Sequence, residues 1–224
     1  MNSYTPYTGK DESCLVQGES GLYYPGVRVE NISFPLSISA IQSAVCSCLG
    51  NGDRPKKVHN LSSKSELFDQ WVREFEMEIL TEEPQDPNLF NPVRNSSMDI
   101  PAELRELTKK SVTIHSNFPV AALLDVGEGF IEGVNIETEI WSLGLCAERV
   151  AITRALAAGY TEFKSIHIYA PKGEFCSPCG ACRQVLAEFM PTQTAVLHHG
   201  DGTLSKHNIS QLLPFGFTSG TLKK

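Results

Sequence analysis

The sequence predicts an α/β fold, a three-layer arrangement of mixed β-sheet flanked by helices, present in two tandem copies. Three observations predict it. The C-terminal half alternates strand and helix signals, an internal repeat relates the two halves, and a Pro- and Asn-rich stretch separates them. Residues 102–110 have helical spacing after Pro101, and residues 120–124 and 133–137 flank the Gly127-Glu-Gly129 turn as a hairpin. A long helix starts near Cys146 and runs through an alanine-rich stretch to Gly159, a residue suited to ending a helix. Residues 165–170, Ser-Ile-His-Ile-Tyr-Ala, alternate as a strand does. A loop carrying Pro171, Gly173 and Pro178 leads into a second helix over 180–190, and residues 194–198 read as a further strand.

The repeat begins at two glycines. Gly26-Val-Arg-Val-Glu30 and the residues to Val45 align without gaps with Gly133-Val-Asn-Ile-Glu137 and the residues to Ile152, at an offset of 107. Between the copies, Thr81-Glu-Glu-Pro-Gln-Asp-Pro reads as the start of an exposed linker rich in Pro, Asn, Ser and acid. The expected organisation is a first domain over 1–80, a linker over 81–100 and a second domain over 101–224.

Composition narrows the function. The chain has 224 residues, 41% hydrophobic and 20% charged, with a net charge of −7, so a phosphate-coating surface for nucleic acid is not expected. A small neutral ligand suits it better. The longest apolar stretches, at 120–124 and 155–158, are far short of the roughly 20 residues that cross a bilayer. The opening Met1-Asn2-Ser3-Tyr4-Thr5-Pro6 has neither a basic nor an apolar signal region, so a cytoplasmic location is expected. Seven cysteines are an odd number for a disulfide framework, and three crowd into Cys176-Ser-Pro-Cys179-Gly-Ala-Cys182. Metal ligation or free thiols is the better reading.

Two motifs carry chemistry when taken together: Cys146-Ala-Glu148-Arg149 and Pro178-Cys179-Gly-Ala-Cys182-Arg183. Zinc prefers a tetrahedral shell, and three thiolates leave one position open, as in a catalytic site. Cys146, Cys179 and Cys182 are the candidate ligands. Glu148, two residues after Cys146, is placed to handle the proton of water rather than to bind the metal. Both cysteine groups fall at helix starts, where the positive helix end favours thiolates. The first copy lacks this equipment: Ser39 stands at the Cys146 position, Ile41 at the Glu148 position, and residues 67–75 contain no cysteine. A structural zinc knuckle would need a fourth ligand. His198 and His199 are the candidates, but that reading explains neither Glu148 nor Asn135-Ile-Glu137, and His167 on its alternating strand reads as packing or surface.

From about residue 102 to residue 217 the chain resembles the cytidine deaminase family. The resemblance rests on Ser116-Asn-Phe118-Pro-Val120-Ala-Ala, Asn135-Ile-Glu137, Cys146-Ala-Glu-Arg149, Pro178-Cys-Gly-Ala-Cys-Arg-Gln184 and Leu212-Leu-Pro214-Phe-Gly-Phe217, in that family's order. It implies a zinc-dependent hydrolase that deaminates cytidine and 2′-deoxycytidine in pyrimidine salvage. It also implies that Phe118 packs near the base, that Asn135 and Glu137 hydrogen-bond the sugar hydroxyls, and that Ala147 meets the pyrimidine edge through its backbone. Arg149 would offset the thiolate charge, and Phe217 or Phe215 would cover the base from a neighbouring domain. Because Pro178 precedes the ligand pair in the family, Cys176 is not expected to ligate. Residues 1–80 become a degenerate, zinc-less copy of the same domain, and two chains would form a homodimer that mimics the family's tetramers. Alternatives are deamination of another aminopyrimidine or nucleoside, such as a blasticidin-like compound, or a zinc-binding but inactive interaction protein.

The chain departs from the family's pattern at two places, one of them its two-domain form with the degenerate half first, where the family's tetrameric members carry one domain per chain. At the other, Val120 runs straight into Ala121-Ala122, one residue short of the usual spacing. Within the chain, Tyr4-Thr-Pro-Tyr7-Thr8 resembles a family motif, and matching Thr8 to Ser116 gives an offset of 108 rather than 107.

Overall fold

The computed structural model describes residues 3–60 and 67–218, so the outer bounds expected for the two domains, at 1 and 224, lie outside the described residues. In chain order the elements are β1 (Ser13–Gly18), β2 (Tyr23–Val27), α1 (Ala40–Leu49), β3 (Pro55–Asn60), α2 (Phe68–Glu74), β4 (Glu78–Leu80), β5 (Val93–Arg94) and α3 (Ile100–Leu107). There follow β6 (Ala121–Asp125), β7 (Phe130–Val134), α4 (Ala147–Ala157), β8 (Ser165–Tyr169), α5 (Gly180–Phe189), β9 (Thr194–His198), β10 (Leu204–Asn208) and α6 (Ile209–Leu212). They build a four-stranded sheet, β2-β1-β3-β4, and a six-stranded sheet, β10-β9-β8-β6-β7-β5. Both are mixed: β3 with β4 and β8 with β9 are parallel, and the remaining pairs antiparallel.

The two sheets share an order of pairing. In one, Cys14 faces Gly26 and Val16 faces Val58; in the other, Ala122 faces Gly133 and Leu124 faces Ile166. Bridges Val29–Ile38 and Ile136–Leu145 lie 107 residues apart at both ends. The offset is 108 between β1 and β6, 107 between β2 and β7, and 108 again between β3 and β8. The hairpin loops absorb the difference: residues 18–22 separate the paired Gln17 and Tyr23, whereas only 126–129 separate Asp125 and Phe130.

Close approach at two glycines sets the helices on the sheets. A Cβ on Gly26 would sit 2.1 Å from the Ala40 carbonyl oxygen, and one on Gly133 would sit 2.1 Å from that of Ala147. The first turns of α1 and α4 therefore cross β2 and β7 where no side chain intervenes. Every residue of α4 except Arg149 is buried, as is every residue of α1 except Leu49. Helices covered on all sides lie inside a fold, and α4 packs on β6, β7, α1 and β2. One continuous apolar core thus spans both sheets.

Three sequence expectations shift for physical reasons. The second hairpin strand was placed at 133–137, but β7 is Phe130–Val134. Its centre carries Glu132, a charge that breaks the apolar pattern yet is completely buried. Arg94 holds both carboxylate oxygens at 3.0 and 3.1 Å, Lys110 approaches to 3.3 Å, and Arg154 to 3.6 Å. The linker over 81–100 is largely exposed, but it is also stitched to both sheets. Tyr23 bonds the backbone of Asn88 and Phe90, and β5 pairs with β7. The helix expected at 102–110 starts earlier, with Asp99 accepting from Ala102 N and Pro101 in the first turn, where a missing N–H costs nothing.

Arg154 links the halves. Its guanidinium donates to Ser47 Oγ at 3.0 Å, to the Ser47 carbonyl and to the Glu132 carbonyl at 2.8 Å. Burial opposes ionisation of Glu132, but hydrogen bonding from Arg94 and the charges of Arg154 and Lys110 outweigh it and hold its carboxyl below the ordinary range. That stabilisation is full above the ordinary carboxylate value and is lost as pH falls below it. Arg154→Met removes one partner from a buried charge network and should cost about 3–5 kcal/mol in urea unfolding at neutral pH. The deficit should shrink on acidification; an unchanged midpoint would show that Arg154 does not join the halves.

Candidate active site

Cys146 is the N-cap of α4 and Cys179 the N-cap of α5, with Cys182 in the first turn of α5. The comparison with α1 is instructive. There the N-cap is Ser39, whose side chain accepts from Gln42 N, whereas Cys146 makes no capping bond and leaves its sulfur free. The Cys146 and Cys179 sulfurs are 3.7 Å apart, those of Cys179 and Cys182 are 3.5 Å apart, and all three lie within 4.8 Å of one another. A tetrahedral zinc with Zn–S bonds of about 2.3 Å spaces its sulfurs about 3.8 Å apart, so this donor set fits zinc. Hydrogen bonds from the Cys146 and Cys182 thiols, and backbone N–H groups of Cys182 and Ala181, pull the Cys179 thiol far below its ordinary pKa. The helix start is thus built to carry a thiolate.

Glu148 is the second residue of α4 and is buried. Burial, with the negative charge of Cys179 beside it, pushes its carboxyl up to about 7, against its own backbone N–H, the Cys182 thiol and Arg149. A carboxyl poised near neutrality can both take and return a proton. Arg149 donates to the Leu36 carbonyl at 3.0 Å, while its Nε is buried without a partner. An orphaned guanidinium N–H three residues after Cys146 suits a site that carries excess thiolate charge when metal is bound.

These groups open on a cavity of about 390 Å³, lined by Ser116, Phe118, Val120, Asn135, Trp141, Cys146, Glu148, Ile168, Ala170, Phe175, Cys176, Ser177 and Cys179. It is mostly apolar with a few convergent polar groups, as small-molecule sites are. A separate cleft of about 320 Å³, lined by Arg105, Tyr169, His198 and the turn after it, holds none of the cysteines.

Of the residues singled out from the sequence, the structure brings Cys146, Cys179, Cys182, Glu148, Phe118 and Asn135 together. Asn135 pins the loop carrying Phe118 from both sides: its Oδ1 accepts from Val120 N at 2.8 Å and its Nδ2 donates to the Phe118 carbonyl at 2.9 Å. Glu137 is not among the residues lining the cavity and accepts from His115 N at 2.7 Å, Ser116 N at 3.1 Å and the Ser116 hydroxyl. Burial slightly opposes its ionisation, but these donors keep its carboxyl below the ordinary range. Ala147 is wholly buried. Phe217 is outside this cavity, its carbonyl held by Gln184 Nε2 at 2.7 Å, and Phe215 projects entirely into solvent.

The histidines have other work. His167 and His198 pair through their rings at 3.0 Å, and His199 accepts from Cys176 N at 3.0 Å. Among the described residues, none of them joins the thiol cluster. Cys176 is buried, its thiol pushed up to about 12 by burial and by Glu148. Sequence reasoning missed Trp141 and Phe175 as cavity walls. The alignment of Trp141 with Phe34 in the repeat was an available signal; for Phe175, inside a Pro- and Gly-containing loop, there was none.

Residues 97–198 match the family described as the cytidine and deoxycytidylate deaminase zinc-binding region. The cytidine deaminase of Sporosarcina psychrophila is 37% identical over 123 residues, which cover 54% of this chain and 90% of that protein. A blasticidin-S deaminase of Bacillus cereus is 30% identical over 128 residues, covering 52% of this chain and 91% of that protein. A crystal structure of cytidine deaminase from Burkholderia pseudomallei aligns at 35% identity with a TM-score of 0.49, over 52% of this chain and 94% of that one. With the Sporosarcina psychrophila cytidine deaminase 37% identical and spanned over 90% of its length, the chain belongs to the cytidine deaminase family.

Proposed function

We propose that the protein is a zinc-dependent hydrolase that converts cytidine and 2′-deoxycytidine to uridine and 2′-deoxyuridine, releasing ammonia. The observation that carries this reading is Glu148, buried beside three clustered cysteine sulfurs on a cavity of about 390 Å³. A zinc ion held by Cys146, Cys179 and Cys182 supplies Lewis acidity, which brings the ionisation of water into the neutral range. Glu148 takes a proton from the attacking water as the C4–O bond forms and passes it to N3 of the ring, then takes the remaining proton of the added hydroxyl and passes it to the amino group, so that the C4–N bond breaks and ammonia leaves. Phe118 packs against the base, and the Ala147 backbone meets its edge. Asn135 and Glu137 keep unused acceptor and donor capacity beyond their loop contacts, which leaves them able to bind sugar hydroxyls. Arg149 offsets thiolate charge through its unpaired Nε.

The N-terminal half is a degenerate, zinc-less copy of the catalytic domain, with Ser39 and Ile41 in place of Cys146 and Glu148. The matched register of the two sheets supports this. Two such chains form a homodimer equivalent to a four-domain assembly, in which Phe217, exposed and outside its own cavity, covers the base of the partner. The product of the reaction suits pyrimidine salvage in the cytoplasm. No described helix is long and apolar enough to cross a membrane. The match to a blasticidin-S deaminase favours one second reading, a larger aminopyrimidine nucleoside as substrate.

Glu148→Gln should keep its zinc and lose about 10²–10⁴-fold or more in turnover, followed by the ultraviolet loss of cytidine. Wild-type rates in that variant would overturn the assignment. Compared side by side, cytidine and deoxycytidine should be turned over well and free cytosine poorly; preference for blasticidin S would favour the second reading. Light scattering should give twice the chain mass, and a value near one chain would exclude the dimer.

A further inference from the structure

The two halves hold each other by matched pairs of bonds. Gln42 Nε2 donates to the Leu143 carbonyl at 2.8 Å, and Arg149 Nη2 donates to the Leu36 carbonyl at 3.0 Å. Glu74 accepts from Glu139 N at 2.9 Å, and Glu188 accepts from Ile32 N at 2.8 Å. In each pair the residues of one bond are displaced by 107 from their counterparts wherever the repeat alignment reaches: Gln42 and Arg149, Leu36 and Leu143, Ile32 and Glu139. Ser47 and Arg154, which touch, are themselves 107 apart. Equivalent residues meet in this way on a twofold axis, so the contact is self-complementary.

What each half grips is a short 3₁₀ turn, Phe34–Leu36 in one and Trp141–Leu143 in the other. The turn at 141–143 is shaped by its own bonds, Leu143 N to Ile140 O and Gly144 N to Trp141 O. Thr138 Oγ1 donates to the Ile140 carbonyl at 2.8 Å within the same half, and both flanks of the turn, Glu139 N and Leu143 O, are bonded by the N-terminal half. The two turns differ in what they serve. Phe34 is 85% exposed and borders none of the cysteine ligands, whereas Trp141 walls the cavity that holds Glu148. Trp141 is 64% exposed and touches His115 edge-on at 5.8 Å, so burial does little to locate it.

We propose that Gln42 and Glu74 are positioning residues for the active site: the N-terminal half, without chemistry of its own, clamps the Glu139–Leu143 segment and so sets the Trp141 wall against which substrate binds. The role of that wall rests on the nucleoside deaminase reading; the clamp itself does not. The Trp141 wall is then set within one chain by a domain that never touches the substrate.

The test uses the full chain with zinc bound, and the variants Glu74→Ala, Glu74→Gln and Gln42→Met with Glu74→Ala. The chain has two tryptophans, and Trp71 is completely buried, so acrylamide quenching of fluorescence reports Trp141. The double variant should make Trp141 more quenchable and lower kcat/KM for cytidine by about 10- to 100-fold through KM, with kcat and zinc content kept. Glu74→Gln, which retains an acceptor oxygen for Glu139 N, should behave as the unaltered protein. Unaltered quenching in the double variant would overturn the clamp whatever the substrate proves to be. A loss shared equally by kcat, zinc content and unfolding midpoint, with no rescue by Glu74→Gln, would reduce both residues to a structural role. If the unaltered protein turns over no nucleoside, the functional reading fails, and quenching alone decides the clamp.

Discussion

Two helix starts must meet for this protein to have a site. Cys146 begins α4 and Cys179 begins α5, and their sulfurs come to 3.7 Å only because α4 lies flat against β7. Gly133 makes that possible, since a Cβ there would collide with the Ala147 carbonyl, one residue after Cys146. Three sulfurs packed together repel as thiolates. N–H groups at the helix starts offset part of that cost, and both cysteine segments sit at helix N-termini. Glu148 inherits its character from the same geometry: on the inner face of the first turn, it loses its water and faces sulfur, and its proton affinity rises.

The N-terminal half shows how little separates a site from a scaffold. Its sheet order, its glycine at the helix crossing and its Val29–Ile38 bridge all have counterparts in the C-terminal half. At the helix start, however, Ser39 spends its side chain on an ordinary cap. Exchanging that hydroxyl for a free thiol, and Ile41 for an acid, costs helix stability and buries a charge. A half that keeps serine and isoleucine is the more economical building block, and it can be used to hold its neighbour.

Much of this was legible in the sequence because local rules and global fold agree there. The cysteine spacing, Glu148, the long helix ending before Gly159 and the strand at 194–198 each follow from short-range chemistry, and β9 has the expected bounds. Illegible features depend on partners far along the chain. Glu132 disguised β7 because its neutralising cations, Arg94, Lys110 and Arg154, come from three other segments. The stretch over 81–100 has a linker's composition, yet β5 pairs there through backbone groups that composition does not record. Glu137 reads from its motif as a residue facing substrate, and its contacts with the backbone of His115 and Ser116 beside the cavity are not written in that motif. Trp141 walls the cavity from a short 3₁₀ turn whose flanks, Glu139 N and Leu143 O, are bonded by residues of the other half.

The central claim is that one half of the chain holds a metal through three cysteines and the other half holds none. Elemental analysis of the purified full-length protein, combined with its rate of uridine formation, tests this most directly. The account predicts one zinc per chain, with activity proportional to zinc content as metal is withdrawn and restored. Two zinc ions per chain, or full activity in zinc-free protein, would contradict it.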